Sequence, residues 1–435
     1  MRTKLLADGA QALEYEIRDI VKKAEVLEQH DVHIYWENIG DPIQKNAHVP
    51  EWIKDIVGEL VHEDRSYGYC HSKGELATRN FLAQRTNAQG GAQITSNDIL
   101  FFNGLGDAIA KMYQYLDPSS RVIGPSPAYS THSSAEAAHA NKVAITYPLD
   151  PDNNWYPDMV ELYNMVRYNP NIVGILIINP DNPTGMVYPE EMLRQIVNIA
   201  KEYNLFIISD EIYHNITYNG VESTSLAEVI GDVPGIAMKG ISKELPWPGS
   251  RCGWMEFYNR KSDVEFDRLC STLEDAKMIE VCSTTLPQLA IPKIFSDERY
   301  PVYRKELNKS IGRRSKIITD ILKDLPQLKF NETFGAFYNT IVFEEGVLKP
   351  GQFLHIEDDK IREIAEGWVA DTDEALDKRF VYYLLAAKGV CVVPLSSFHS
   401  PLSGFRVTLL EEDETLLRES FTMIRDAVVE YCGSV

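Results

Sequence analysis

The chain has 435 residues, 44% hydrophobic and 25% charged, the balance of a soluble globular enzyme with room for two domains or one domain and a lobe. Lys and Arg number 43 against 64 Asp and Glu, a formal net charge of -21, which makes nucleic acid and anionic membrane surfaces poor partners. The longest strongly apolar run, Ile172 to Ile178, is far too short to span a bilayer, and no apolar leader opens the chain. Cys70, Cys252, Cys270, Cys282, Cys391 and Cys432 show no CxxC spacing, so reduced thiols in a cytoplasm are expected.

In chain order, a first helix is predicted over Ala12 to Gln29, with Leu13, Ile17, Ile20, Val21 and Ala24 on one face. The segment Glu37 to Pro42 carries Gly40 and reads as a turn. A helix near Pro50 to His62 follows, then Tyr67 to Gly74, then a helix from Glu75. From about residue 98, short apolar runs alternate with helical stretches: Ile99–Phe102, Arg121–Ile123, Val143–Tyr147, Ile172–Ile178, Leu205–Ser209 and Ile236–Met238. Apolar strands separated by helices predict a largely parallel sheet covered on both faces. After Ser296 come a long helix to Leu325, apolar runs at Phe337–Phe343, Gly389–Val393 and Phe405–Leu409, and a last helix from Asp413 to Tyr431. The acidic stretch from Glu344 to Leu376 reads as a surface insertion.

Ligands of such sheets bind beyond the carboxyl ends of the strands. There the sequence places Asn103-Gly104-Leu105-Gly106 before a helix, a glycine turn at a helix start that suits phosphate. It also places Tyr129 after Arg121–Ile123, and Asn182 in the turn Asn179-Pro180-Asp181-Asn182-Pro183-Thr184-Gly185. Asp210 and Tyr213 follow the next run; Ser242, Lys243 and Arg251 follow the one after. The Pro246-Trp247-Pro248 segment cannot continue a helix, so Lys243 sits in an irregular bend where its amine is either paired or tuned for chemistry. A lysine, an aspartate, an asparagine, a tyrosine, an arginine, an aromatic and a phosphate cradle together fit pyridoxal phosphate, whose aldehyde takes a lysine and whose pyridine nitrogen takes an acid. The ten histidines form no HExxH pattern, and Asp150 to Asn154 lacks the glycine and terminal glutamate of a calcium loop, so no metal is expected.

The motifs Asn179 to Gly185, Asp210-Glu211-Ile212-Tyr213, Ser242-Lys243 and Arg251-Cys252-Gly253-Trp254, in that order, resemble the fold-type I pyridoxal-phosphate aminotransferases of the aspartate/alanine/aromatic class. Tyr15-Glu16-Ile17-Arg18 and Gly68 to Gly74 are most similar to bacterial alanine (glutamate–pyruvate) aminotransferases. The resemblance implies an α/β fold: a large domain, residues 51–295, with a mostly parallel seven-stranded sheet between helices. It implies a smaller α+β domain from 296–435 together with an arm and part of the small domain in 1–50. It also implies a homodimer whose active sites are shared between subunits.

Carried over residue by residue, the resemblance makes Lys243 the Schiff-base lysine and proton carrier, and Asp210 the partner of the pyridine nitrogen. Asn182 and Tyr213 hydrogen-bond the ring oxygen, and Tyr129 stacks on the ring. Leu105, Gly106, Ser242 and Arg251 hold the phosphate, with Tyr69 reaching it from the neighbouring subunit. Arg406 clamps the substrate α-carboxylate, and Gly40 permits close backbone approach to the substrate. The chain departs from the family pattern at Gly240, where a hydroxyl is usual, at Leu395, where glycine is usual, and in Leu245 to Pro248. The expected reaction is amino transfer from a small L-amino acid (alanine, aspartate or glutamate class) to a 2-oxo acid. A C–S β-lyase or a decarboxylase on the same scaffold is the alternative, and a non-catalytic regulatory protein is the alternative of another class.

Overall fold

The computed structural model describes residues 5–6, 8–12, 17–370 and 375–435. The first helix runs from Ile17–Glu28 and buries Ile20, Ala24 and Leu27; Leu13, Tyr15 and Glu16 lie outside the described residues. The next two helices, Glu51–Val61 and Leu76–Asn87, fall where the apolar spacing puts them.

The large sheet has eight strands, in the order Ile99–Phe102, Gly253–Tyr258, Gly235–Gly240, Phe206–Asp210, Ile172–Ile178, Arg121–Ser126, Thr146–Asp150 and Tyr156–Pro157. The central pairings are parallel; Gly253–Tyr258 runs antiparallel to both of its neighbours, and Tyr156–Pro157 is antiparallel to Thr146–Asp150. The eighth strand is only two residues long, too short to leave a pattern in the sequence. Alternate residues enter opposite cores: Ile175 and Ile177 pack into one, Leu176 and Ile178 into the other. Both faces being covered by helices, the strand reads as one continuous apolar run.

The strand Gly253–Tyr258 has no counterpart among the predicted runs. Glu256 interrupts its apolar character, yet this carboxylate is buried, accepting from Lys239 Nζ at 3.0 Å, Tyr258 Oη at 2.8 Å and Trp254 Nε1 at 3.1 Å. The run Val143–Tyr147 is also corrected. The strand begins at Thr146, and Val143 is exposed beside the turn that ends the preceding helix.

A second core is built on a four-stranded antiparallel sheet, ordered Leu328–Lys329, Tyr338–Phe343, Gly404–Thr408 and Val393–Pro394, with the helices Tyr300–Leu322, Leu376–Lys388 and Glu414–Cys432. Tyr35–Trp36 pairs in parallel with Val390–Cys391, so the N-terminal segment joins this half of the molecule. The described part of this stretch, residues 344–370, is not a surface insertion. Leu348, Leu354, Ile356, Ile361, Ala365 and Val369 are buried in the second core, and the helix Asp359–Ala370 turns its charges outward. His355 N bonds to Glu430 on the last helix, and Phe353 N to Ser434 just past its end. Acidic composition masked an amphipathic pattern there. Among the described residues no helix is long and apolar enough to cross a membrane.

Candidate active site

Sheet register gathers the site. Ile178 pairs with Asp210, Asp210 with Met238, Gly240 with Gly253, and Gly253 with Phe102. The loops after Phe102, Ile178, Asp210 and Gly240 therefore leave one edge of the sheet together, and the segment carrying Arg251 enters there.

Asp210 ends its strand at 3% exposure. One carboxylate oxygen accepts the Ile212 amide at 3.1 Å, and the other lies 3.1 Å from His132 Nε2. An ionised carboxylate only accepts, so Nε2–H donates to it. His132 is buried and sits in the first turn of the helix Ser130–Ala140, just past Tyr129. The half-buried Tyr129 ring stands edge-on to His132, with centroids 6.5 Å apart.

Lys243 lies in the bend after Gly235–Gly240, and Arg251 closes that bend in the left-handed region at φ 49°. Ser242 and Lys243 are half-buried. Lys243 Nζ donates to the Gly40 carbonyl at 2.8 Å and lies 5.7 Å from the centre of the Phe337 ring. A Cβ on Gly40 would overlap the Tyr338 hydroxyl, so the glycine is required by the protein's own packing. Tyr213, also buried, places its hydroxyl 3.1 Å from that of Tyr338. Burial, with Tyr338 alongside, raises the Tyr213 phenol well above its ordinary pKa.

Arg406 comes from the other half of the molecule, on the strand Gly404–Thr408. It is buried, donates through Nη2 to Asn38 O at 2.7 Å, and lies 4.6 Å from the centre of the Tyr338 ring. Its Nε has no partner among the described residues. The Asn182 turn is fixed from both sides. Asn179 Oδ1 accepts the Tyr188 amide, Asp181 accepts both Thr184 N and Thr184 Oγ1, and Thr340, which pairs with Arg406, bonds the Pro183 carbonyl at 2.8 Å. Burial raises the Asp181 carboxyl to about 7 against those bonds. The buried Asn182 Oδ1 has no partner among the described residues.

Gly104, at φ 84°, caps the helix Leu105–Gln114. Asp107 holds the turn by accepting the Asn103 amide at 3.0 Å, and the fully buried Lys277 lies 3.4 Å from Asp107. The exposed Arg251 guanidinium lies over Gly104, where a Cβ would stand 2.6 Å from Nη2, and it bonds Asn103 O at 3.5 Å. Leu105 is half-buried and Gly106 is exposed at the helix start, where free amides and the dipole favour an anion. Tyr69 is 85% exposed, and among the described residues no hydrogen bond or ring contact brings it to the Lys243 group.

Sequence reasoning missed His132 and Tyr338. The first carries a usable signal, since it follows Tyr129 by three residues on a helix that starts at the ligand-binding edge. The second depends on pairing between Tyr338–Phe343 and Gly404–Thr408, which no local pattern announces.

The residues present fit pyridoxal phosphate. They offer an amine bound, among the described residues, only to a carbonyl, a buried carboxylate oriented by a histidine, a helix start with an arginine for phosphate, and a buried Arg406 Nε–H left for an anionic ligand. Among the described residues no group of three or more His, Cys, Asp or Glu side chains is placed to hold a metal ion.

The sequence model of the family described as aminotransferase class I and II matches residues 38–418. An uncharacterized aminotransferase of Methanocaldococcus jannaschii is 54% identical over 400 residues, 92% of each chain. The glutamate-pyruvate aminotransferase of Escherichia coli is 33% identical over 279 residues, 64% of this chain and 67% of that one. Among solved structures, an alanine aminotransferase from Pyrococcus furiosus superposes with a TM-score of 0.85 at 27% identity, covering 98% of this chain and 100% of that one. An aspartate aminotransferase double mutant from Thermus thermophilus, 21% identical, shares the fold with a TM-score of 0.81 over 98% of this chain and 100% of its own.

Proposed function

The chain belongs to the class I and II aminotransferases, which move amino groups between amino acids and 2-oxo acids, and we propose that it does so with pyridoxal 5′-phosphate and a small L-amino acid of the alanine, aspartate or glutamate class. The observation that carries this reading is the half-buried Lys243 amine, bonded to a carbonyl, at the sheet edge where His132 orients the buried Asp210. When bound, the cofactor supplies an aldehyde that condenses with amines and a ring that withdraws electrons from the adjoining carbon.

The chain's own residues do the rest. Lys243 would hold the cofactor through its amine and, as a free amine, would move the proton from the substrate Cα. Asp210 would hold a proton at the pyridine nitrogen, and His132, 3.1 Å from its carboxylate, would keep Asp210 aimed. Asn182, through its amide NH2, and Tyr213 would donate to the ring oxygen, and Tyr129 would stack on the ring. Leu105 and Gly106 amides, Ser242 and Arg251 hold the phosphate, Arg251 through charge-assisted bonds. Arg406 grips the α-carboxylate beside Gly40 and so orients the Cα–H bond. The exposure of Tyr69 supports a homodimer in which this ring reaches a second copy's phosphate site. The cysteine spacing supports a cytoplasmic setting.

The reading is tested by titrating the visible band of the purified protein with a panel of amino acids while following transfer to pyruvate or 2-oxoglutarate. Loss of the band with alanine, glutamate or aspartate, matched by stoichiometric amino transfer, is expected. Release of ammonia, thiol or carbon dioxide without transfer would contradict it.

A further inference from the structure

Tyr338 touches three of the groups assigned above, although it bonds to only one of them. It opens the strand Tyr338–Phe343 and is 3% exposed. Its hydroxyl lies 3.1 Å from the Tyr213 hydroxyl and against the Cα of Gly40, whose carbonyl accepts Lys243 Nζ. Its ring lies under the Arg406 guanidinium, 4.6 Å from centroid to Cζ. Register explains the last contact. Thr340 pairs with Arg406, so Tyr338, two residues earlier, projects from the same face as a diagonal neighbour within reach of a long side chain. Tyr213 is held edge-on to Phe337, with ring centroids 5.2 Å apart, which fixes the approach of the two hydroxyls.

A phenol hydroxyl has one proton to give and lone pairs to receive. In the Tyr213–Tyr338 pair either oxygen can be the donor. With an anionic oxygen beside Tyr213 the choice disappears: Tyr213 gives its proton to the anion, and the bond between the two phenols survives only if Tyr338 gives its own proton to Tyr213. A hydrogen bond received at a phenol oxygen makes that phenol a stronger donor. The ring has a separate task, because a guanidinium over an aromatic face is held flat by the ring's quadrupole.

We propose that Tyr338 is a positioning residue with two separable parts: its hydroxyl donates to Tyr213 and so directs the Tyr213 proton to the cofactor's ring oxygen, and its ring holds Arg406 ready for the substrate carboxylate. This rests on the roles given above to Tyr213 and Arg406. Through Tyr338, the group that binds substrate and the group that tunes the cofactor share one side chain.

The test uses the holoenzyme and reads the pH midpoint of its visible band. Deprotonation of the chromophore leaves negative charge on the ring oxygen without a neighbouring proton, so every donor aimed at that oxygen lowers the midpoint. Tyr338→Phe keeps the ring and removes the hydroxyl. It is expected to raise the midpoint by about 0.5 to 1 unit, with the KM for amino acids within about twofold of wild type. Tyr213→Phe is expected to raise it further. The double variant should match Tyr213→Phe alone, because Tyr338 acts through Tyr213 and the two effects cannot add. Tyr338→Leu removes the ring as well and should raise KM about tenfold. A midpoint unmoved by Tyr338→Phe but raised by Tyr213→Phe overturns the role of Tyr338 and leaves the role of Tyr213 standing. Additive shifts in the double variant overturn the proposed relay. A midpoint unmoved by both, or the absence of any band with added cofactor, removes the proposal together with the reading on which it rests.

Discussion

Lys239 and Lys243 are four residues apart, one inside a strand and one in the bend that follows, and they meet opposite surroundings. Lys239 faces two buried carboxylates, Glu256 at 3.0 Å and Glu211 at 3.5 Å. Those acids are themselves saturated: Glu256 by Thr86, Trp254 and Tyr258, Glu211 by Ser209, Ser225 and the Leu226 amide. Lys243 has a carbonyl and the face of an aromatic ring, and no ion pair among the described residues. The first lysine is a closed network that replaces water bond for bond. The second keeps capacity in hand, as does Arg406 with its unpartnered Nε. Burial and charge do not separate structure from chemistry here; completeness of partnering does.

Substitution should separate the two lysines most sharply. Lys243→Ala is expected to cut turnover below about 10⁻³ of wild type, while denaturant unfolding stays within about 0.5 kcal/mol. Lys239→Ala should do the reverse in kind. Breaking a buried pair leaves Glu256 and Glu211 uncompensated and costs about 3–5 kcal/mol, read as a lower denaturant midpoint. Equal stability loss in both variants would erase the distinction. Arg406→Ala, the other incompletely paired cation, should raise KM for every amino acid by about 100-fold; unchanged kinetics would sink its assignment as the carboxylate clamp.

The pH dependence of stability sharpens the same contrast. For Glu256, burial works to raise the pKa, but Lys239 and the bonds from Trp254 and Tyr258 outweigh it and hold the carboxyl below its ordinary 4.5. Its contribution is therefore complete above pH 4.5 and lost as pH falls through the lower folded value. For Lys239, burial works to lower the pKa, and Glu256 and Glu211 outweigh it, so the amine stays above 10.5. Its contribution is complete below that pH and lost as pH rises through the folded value. Together they predict a plateau between those limits, measured by denaturant unfolding across pH, which Lys239→Ala should narrow. The smallest effect is expected at Asp181, whose carboxyl burial raises from 3.8 to about 7. Its proton stabilises the fold fully below pH 3.8, and that contribution is lost as pH rises through about 7. Asp181→Asn should flatten this part of the curve and make the protein more stable at pH 8 by about 1 kcal/mol, read in the same unfolding series.

Much of this was legible in the chain. Strands buried on both faces announce themselves as unbroken apolar runs, and Ile172–Ile178 was delimited to the residue. The motifs at the strand ends came to one edge because parallel register leaves no other place for them. What local pattern could not reveal depended on distant partners. Glu256 hides a buried strand until Lys239 is known to neutralise it, and the acidic residues between Glu344 and Leu376 hide an amphipathic helix. Tyr338 gains a role only when its strand pairs with that of Arg406, some seventy residues later. His132 was within reach of sequence reasoning, since a histidine in the first turn of a helix that starts at the ligand edge lies among the strand ends gathered there.

The assignment of Lys243, not its paired neighbour, to the cofactor decides which amine does the chemistry. It is tested most directly by reducing the holoenzyme with borohydride, which fixes the cofactor on its lysine, and mapping the modified peptide. A single modified residue, Lys243, is expected, with Lys239 untouched. Modification at Lys239 or at another lysine, or none despite a visible band, would contradict it.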